Sequence, residues 1–349
     1  MYSIIDKHPV LKGRILNDGD NVFLVCDSYP LVELVSSDDT SAFIKPFDLE
    51  DYLARFYIID TPTRKAILYD IHHIISDATT ISIINKEFKK GFNGILDDNL
   101  DLGFLRSSYD DFIVKFDSSY ESAHRFFADM LSDVEYFDVL GGDVDGSEGT
   151  VILPIFGVKE KLENFTYKKG ISVGNLFYAV YAYCLSCFTG EDKVFVNIIE
   201  HGRHKDYTMD SVGMFARILP LVVDCSDSSV ENYLDYVSDL VLNSMENNVY
   251  PFRLLASEFN FNSNISFRYN SNLNDMSFLG EDIIVTDYAL DTIGEFLCVV
   301  NDLEDGFSVT VHHSDSYSEE MAKQFVFMFK EILIQLCDKD NLKDINYSL

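Results

Sequence analysis

A short run, His72-His73-Ile74-Ile75-Ser76-Asp77, gathers residue types that move protons. An imidazole titrates near neutral pH and can take or give a proton. A nearby carboxylate can orient it or fix its surroundings. In one reading His73 is a base at a strand end and Asp77 holds the local structure. In a second reading these are ordinary histidines beside a helix cap. A third is zinc held by His72, His73 and Asp77, completed by His201 and His204. Adjacent histidines on a strand point to opposite faces, so only one easily faces a shared centre. No metal site is expected.

Other candidates are weaker. Cys184 and Cys187 form a CxxC inside an apolar run, without a second such pair. Free cysteine packs as a small hydrophobe, so buried thiols are expected there. His312-His313 precedes Ser314-Asp315, either as a solvated strand end or as the lining of a substrate channel. Gly-rich phosphate loops, GxSxG elbows and HExxH helices do not occur.

Elements must place these side chains. Ile67, Tyr69 and Ile71 alternate with Leu68, Asp70 and His72, the period of a strand. Ser76 or Asp77 can cap a following helix, on which Ile81, Ile84 and Phe88 recur at helical spacing and Gly91 offers a stop. His73 then lies in the turn and Asp77 at the helix start. Further on, Ile171 to Phe188 reads as a buried helix closed by Gly190, and Val194 to Ile199 as a strand leading into the loop His201-Gly202-Arg203-His204. Phe307, Val309 and Val311 alternate as another strand. Ser318 caps a helix to Cys337, with Glu319 and Glu320 in the favoured first turn. The fold class is mixed α/β.

Composition sets bounds. A chain of 349 residues exceeds what one core usually supports, so two lobes are expected. With 47% apolar residues, 28 Phe, 20 Tyr and no Trp, a Phe- and Tyr-rich interior is expected. The Gly141–Gly149 run, GGDVDGSEG, is the best boundary, giving lobes 1–145 and 146–349; Ser37–Ala42 is a lesser turn. The net charge of −31, shared by both halves, disfavours nucleic acid and anionic lipid as partners. The run MYSIIDKHPV has neither the charge nor the apolar stretch of a secretory signal. The stretch 171–188 is too polar for a confident membrane span. A cytoplasmic protein with free thiols is expected.

Several segments, in order, resemble the condensation domain of nonribosomal peptide synthetases, a branch of the chloramphenicol-acetyltransferase-like superfamily. They are HPVLKGRI (8–15), PFDLEDYLARFYII (46–59), HHIISDA (72–78), YDDF (109–112) with FFADML further on, the long stretch 171–203 ending in HGR, VGMFARILPLVV (212–223) and PFRLL (251–255). HHIISDA is similar to the family's HHxxxDG motif. The resemblance implies two acetyltransferase-like lobes in a V-shaped pseudo-dimer around a central tunnel. Donor and acceptor peptidyl carrier domains would deliver substrates on phosphopantetheine arms, with no permanently bound cofactor. The implied reaction is amide formation between a donor thioester and an acceptor amine. His73 would sit at the tunnel centre, with His72 and Asp77 supporting it. Asp77 would pair with Arg203 across the lobes as a structural salt bridge.

Three departures stand out. The motif's glycine is Ala78. The family's Asn-Thr is Ala216-Arg217, which removes a polar group from the implied tunnel wall and adds a cation. Ala78, Ala216, Arg217 and His313 are the tunnel-lining candidates. No counterpart of the family's opening strand and helix precedes His8, so uncovered apolar surface and a sheet edge are expected. The ending NLKDINYSL resembles the run-out toward an adenylation domain. Two other functions are consistent with the same motif: an acyl-CoA-dependent O- or N-acyltransferase, and a non-catalytic domain that only docks carriers.

Overall fold

The computed structural model describes residues 1–19, 21–37, 43, 45–63, 65–92, 119–132, 147–203, 206–226, 229–261, 265–270, 277–278, 281–282 and 295–347. The YDDF segment, His204 and most of the Ser37–Ala42 and Gly141–Gly149 turns lie outside these residues. In chain order the elements are α1 (Tyr2–Lys7), β1 (Arg14–Asn17), β2 (Val22–Val25), β3 (Leu31–Val35), β4 (Ala54–Asp60), β5 (Lys65–Ile71), α2 (Ala78–Phe92) and α3 (119–131). There follow β6 (Gly149–Phe156), α4 (Lys159–Lys169), α5 (Val173–Thr189), β7 (Lys193–Glu200), α6 (Asp206–Met209), β8 (Arg217–Asp224), α7 (Val230–Glu246) and α8 (Phe252–Glu258). Last come β9 (Ile265–Asn270), β10 (Ser277–Phe278), β11 (Glu281–Asp282), β12 (Phe296–Leu303), β13 (Gly306–His313) and α9 (Glu319–Leu336).

By contacts the chain groups into two compact units. The first comprises Met1–Tyr109, His201–Ala216 and Met276–Ile283; the second comprises Asp110–Glu200, Arg217–Asp275 and Ile284–Leu349. A single cut near residue 145 does not describe this grouping, because the segment between β7 and β8 belongs with the first unit. Its contacts with the start of α2 are the physical reason, described below.

The second unit is built on a mixed six-stranded sheet, ordered β6-β13-β12-β9-β7-β8. The β9 strand pairs parallel with both β12 and β7, and the other pairings are antiparallel. Buried helix α5 packs beside it. Its apolar residues run round the whole circumference, so it must be covered on all sides, and every residue from Asn175 to Leu185 is buried. Ser172 caps it by accepting from the Asn175 N–H at 3.0 Å, and Gly190 ends it with φ +77°. The interior is aromatic: Phe177–Phe307, Tyr181–Phe267 and Phe296–Phe325 lie 4.9, 4.7 and 5.1 Å apart between ring centroids. The buried tyrosine hydroxyls find backbone acceptors, Tyr181 at Ser266, Tyr183 at Leu342 and Tyr233 at Ala179. Cys184 is fully buried among these side chains and Cys187 is half-buried. Among the described residues, no single helix is long and apolar enough to cross a membrane.

The first unit carries the sheet β3-β4-β5 and the hairpin β1-β2. Ile83, Ile84 and Phe88 of α2 pack with Phe56, Ala54, Ile4, Ile5, Leu11 and Val212. The helix does not stop at Gly91; it continues to Phe92, since glycine weakens a helix without having to end it. Among the described residues β3 pairs only with β4, and Leu34 on it is exposed, as are Val22 and Phe23 on the hairpin.

Candidate active site

The β5 strand ends at Ile71, and the chain turns at once. His72, in extended conformation, caps a single 3-10 turn, His73–Ile75, by accepting the Ile74 N–H on its Nδ1 at 3.1 Å. Ser76 closes the turn from inside, its hydroxyl donating to the His72 carbonyl at 3.2 Å. His73 Nδ1 lies 2.6 Å from the Ser76 carbonyl oxygen. A carbonyl can only accept, so Nδ1 carries the proton and Nε2 of the neutral ring keeps its lone pair. The His73 ring is exposed.

Asp77 is the cap of α2. Its Oδ1 accepts the Thr80 N–H at 2.8 Å. The same carboxylate meets Arg203, whose Nη2 lies 2.9 Å from Oδ1 and 3.0 Å from Oδ2. Oδ2 also accepts the Phe215 N–H at 3.0 Å. Every lone pair of this buried group is engaged. Arg203 is committed through both terminal nitrogens, while its buried Nε has no hydrogen-bond partner among the described residues. Its Nη1 donates to the carbonyls of Thr208 and Ser211, each at 2.5 Å, its Nη2 also reaches the Gly213 carbonyl at 3.2 Å, and its guanidinium stacks on Phe215 at 4.3 Å. Thr80 completes the knot, its hydroxyl donating to the Gly213 carbonyl at 2.9 Å and accepting the Gly213 N–H at 3.0 Å.

The backbone before Arg203 leaves no alternative residue at Gly202. It has φ +68°, and a Cβ there would sit 1.8 Å from the Phe215 carbonyl oxygen. The structure thus brings Asp77 and Arg203 together with Thr80, Thr208, Ser211, Gly213 and Phe215. Residue type and spacing do not single out Thr208, Ser211, Gly213 and Phe215. Thr80, three residues after a capping Asp, carries a usable signal; backbone carbonyls carry none.

The remaining candidates fall elsewhere. Ala78 is the exposed first residue of α2 and needs no positive φ. Ala216 is half-buried just before β8, and Arg217, also half-buried, opens that strand opposite Glu200. His313 is 2% exposed at the end of β13, with Gly149 so close that a Cβ there would lie 2.4 Å from its Nε2. His312 accepts from or donates to the Thr150 hydroxyl at 3.0 Å; burial holds its pKa below the ordinary value, helped by Arg268 and His313. His201 lies at the surface, accepting the Arg203 N–H on Nδ1 at 3.0 Å. Among the described residues no group of three or more His, Cys, Asp or Glu is arranged to hold a metal.

An α/β fold with a histidine turn braced by a buried carboxylate–guanidinium knot defines a class, and comparison with known proteins places the chain in it. The condensation domain family matches residues 1–349, and this chain belongs to that family. The chain is 25% identical over 245 residues to bacitracin synthase 1 of Bacillus licheniformis, covering 64% of this chain and 4% of that one. To surfactin synthase subunit 1 of Bacillus subtilis (strain 168) it is 26% identical over 242 residues, covering 65% of this chain and 7% of that one. It thus spans less than a tenth of the length of either of these two curated relatives. Among solved structures, the condensation domain from the monacolin K polyketide synthase MokA superposes with a TM-score of 0.72 at 15% identity, covering 97% of this chain and 88% of that one. The fold is therefore the two-lobed chloramphenicol-acetyltransferase-like fold of condensation domains.

Proposed function

We propose that this domain forms an amide bond between a donor acyl or peptidyl thioester and the amine of an acceptor aminoacyl thioester, both presented on phosphopantetheine arms of carrier domains. Adenylation and carrier domains of a nonribosomal peptide synthetase would be its working partners, in the cytoplasm. The observation that carries the reading is the state of His73. Its Nδ1 proton is committed to the Ser76 carbonyl, and an exposed ring leaves Nε2 able to accept.

The chemistry asks little of a base. An α-amino group has a pKa of roughly 8, so an appreciable fraction is neutral near pH 7. That amine attacks the thioester carbonyl carbon, and a C–N bond forms. His73 Nε2 hydrogen-bonds the attacking nitrogen and takes its proton as the tetrahedral intermediate develops. The intermediate expels the thiolate as the C–S bond breaks, and the imidazolium returns the proton to sulfur. Asp77 and Arg203 keep the turn in place and take no part in proton transfer. A hydroxyl acceptor would depend on the base more heavily, because its proton is far less acidic.

The test is direct. Donor and acceptor carriers are loaded with aminoacyl-phosphopantetheine, the protein is added, and the acceptor is followed by intact mass. A mass gain equal to the donor acyl group is expected. Carrier binding without product across a panel of amino acids would replace this reading with a docking role. Transfer from acyl-CoA to a free alcohol or amine would replace it with a stand-alone acyltransferase.

A further inference from the structure

Behind the turn lies a second charged group that the chemistry above does not use. Arg55 on β4 is 3% exposed, and its direct cross-strand partner is Asp70 on β5. Arg55 Nη2 lies 2.8 Å from Asp70 Oδ2. The guanidinium also stacks on Phe47 at 3.8 Å and donates to the Lys45 carbonyl. Phe47 in turn meets the His72 ring edge-to-face at 5.5 Å. Asp70 and His72 are two residues apart along the strand direction, so they share a side.

His72 has one task in this arrangement: its Nδ1 accepts the Ile74 N–H that starts the turn. A protonated ring would present an N–H there instead, facing another N–H, and the cap would be lost. Protonation of His72 is opposed by burial and by His73, and favoured by Asp70. Arg55 counters that last influence by pairing with Asp70. The His72 backbone N–H donates to Leu53, which is uncharged.

We propose that Arg55 is a positioning residue for the His73 turn: by pairing with Asp70 and clamping Phe47 against His72, it keeps His72 neutral so that Nδ1 can cap the turn. This rests on the proposed role of His73 only for its effect on turnover. Its effect on His72 can be read without any substrate.

The experiment is a histidine-resolved NMR titration of the whole chain, with ¹⁵N-labelled imidazoles, for wild type, Arg55→Met, Asp70→Asn and the double variant. In wild type, His72 is expected as the Nε2–H tautomer. Arg55→Met leaves the Asp70 carboxylate uncompensated beside the ring, and the His72 midpoint should move upward by roughly one pH unit. Asp70→Asn alone should move it slightly downward, and the double variant should return it near wild type. Where turnover is present, the acid limb of its pH profile should follow the same order. Should Arg55→Met fail to fold, Asp70→Asn and Phe47→Leu still test the chain of contacts. An Nδ1–H tautomer for His72, or one midpoint across all folded variants, overturns the proposal. A shifted midpoint with no turnover in any variant leaves the inference standing and removes the proposed reaction instead.

Discussion

Asp77 and His73 are four residues apart and could hardly be more differently placed. Asp77 is 6% exposed, and its two oxygens accept from the Thr80 and Phe215 N–H groups and from Arg203. His73 is exposed and has one nitrogen tied to a carbonyl and one open. One short motif therefore contains framework and chemistry side by side. A residue whose polar atoms are all engaged inside the fold can shape a site but cannot reach a reacting atom. A residue held by one bond at a tight turn can do both.

The largest effect should come from the framework. Asp77→Ala leaves the buried Arg203 charge without its carboxylate, and breaking such a pair costs about 3–5 kcal/mol. Urea denaturation of the variant should show a loss of that size, with Arg203→Ala comparable. A loss under about 1 kcal/mol would mean that the knot is not structural, and the contrast with His73 would collapse.

A further framework histidine sharpens the comparison. His8 is 5% exposed, and its Nε2 has no partner among the described residues. Burial is the main cause of a pKa lowered to about 4, with Glu87 and Asp210 pulling upward and Lys7 downward. The folded state then binds a proton less readily than the unfolded chain, whose histidine titrates near 6.5. No stability is lost to this group above about pH 6.5. The loss grows as pH falls toward 4 and levels off below it, reaching about 3 kcal/mol at 1.36 kcal/mol per unit. Stability measured against pH for wild type and His8→Leu should converge above pH 7 and diverge across that window. Parallel curves would show that His8 is solvated in the folded protein.

His73 should show the reverse pattern. His73→Ala removes an exposed ring and its one hydrogen bond, to the Ser76 carbonyl, so stability should fall by about 1 kcal/mol, well short of the Asp77 loss. The rate of acyl transfer to an amine should fall about 100-fold, the low end for a general base, because the amine is partly neutral already. A full rate would exclude His73 as the base.

These assignments are unequally legible in the sequence. The strand to Ile71, the turn and the capped helix follow from period-two alternation and a capping carboxylate, and the structure has them as β5, the His73–Ile75 turn and α2. Buried α5 is readable because a long, nearly unbroken apolar run ends at a glycine. Helix α7 falls outside the sequence-based expectations, although Tyr233, Leu234, Val237 and Val241 lie on one buried face at helical spacing. The least legible part is the company of Arg203. Its acceptors are the carbonyls of Thr208, Ser211 and Gly213, which every residue possesses, and a loop has no periodicity to fix where it folds back. Asp77 lies 126 positions away, and only the resemblance to a family connects the two. The separation also explains the contact grouping: a segment flanked by strands of one sheet is held elsewhere by a charge pair.

The smallest expected effect concerns Ala78, where family resemblance and local physics point in opposite directions. The resemblance puts glycine there, which suggests that a Cβ crowds the space beside His73. The structure places Ala78 at the first position of α2, exposed, with ordinary helical backbone. Nothing in that geometry asks for glycine's freedom, and a Cβ on an exposed position meets solvent. Alanine is also the better helix former, by roughly 0.5–1 kcal/mol in a helix interior and less in the first turn. Ala78→Gly should therefore lower stability by a few tenths of a kcal/mol, read as a small drop in the urea midpoint, and leave the rate of acyl transfer within about twofold. A several-fold gain in rate would show that the methyl group obstructs the bound amine or thioester. In that case Ala78 would belong with His73 on the chemical side, and the division drawn between Asp77 and its neighbours would have to be moved by one residue.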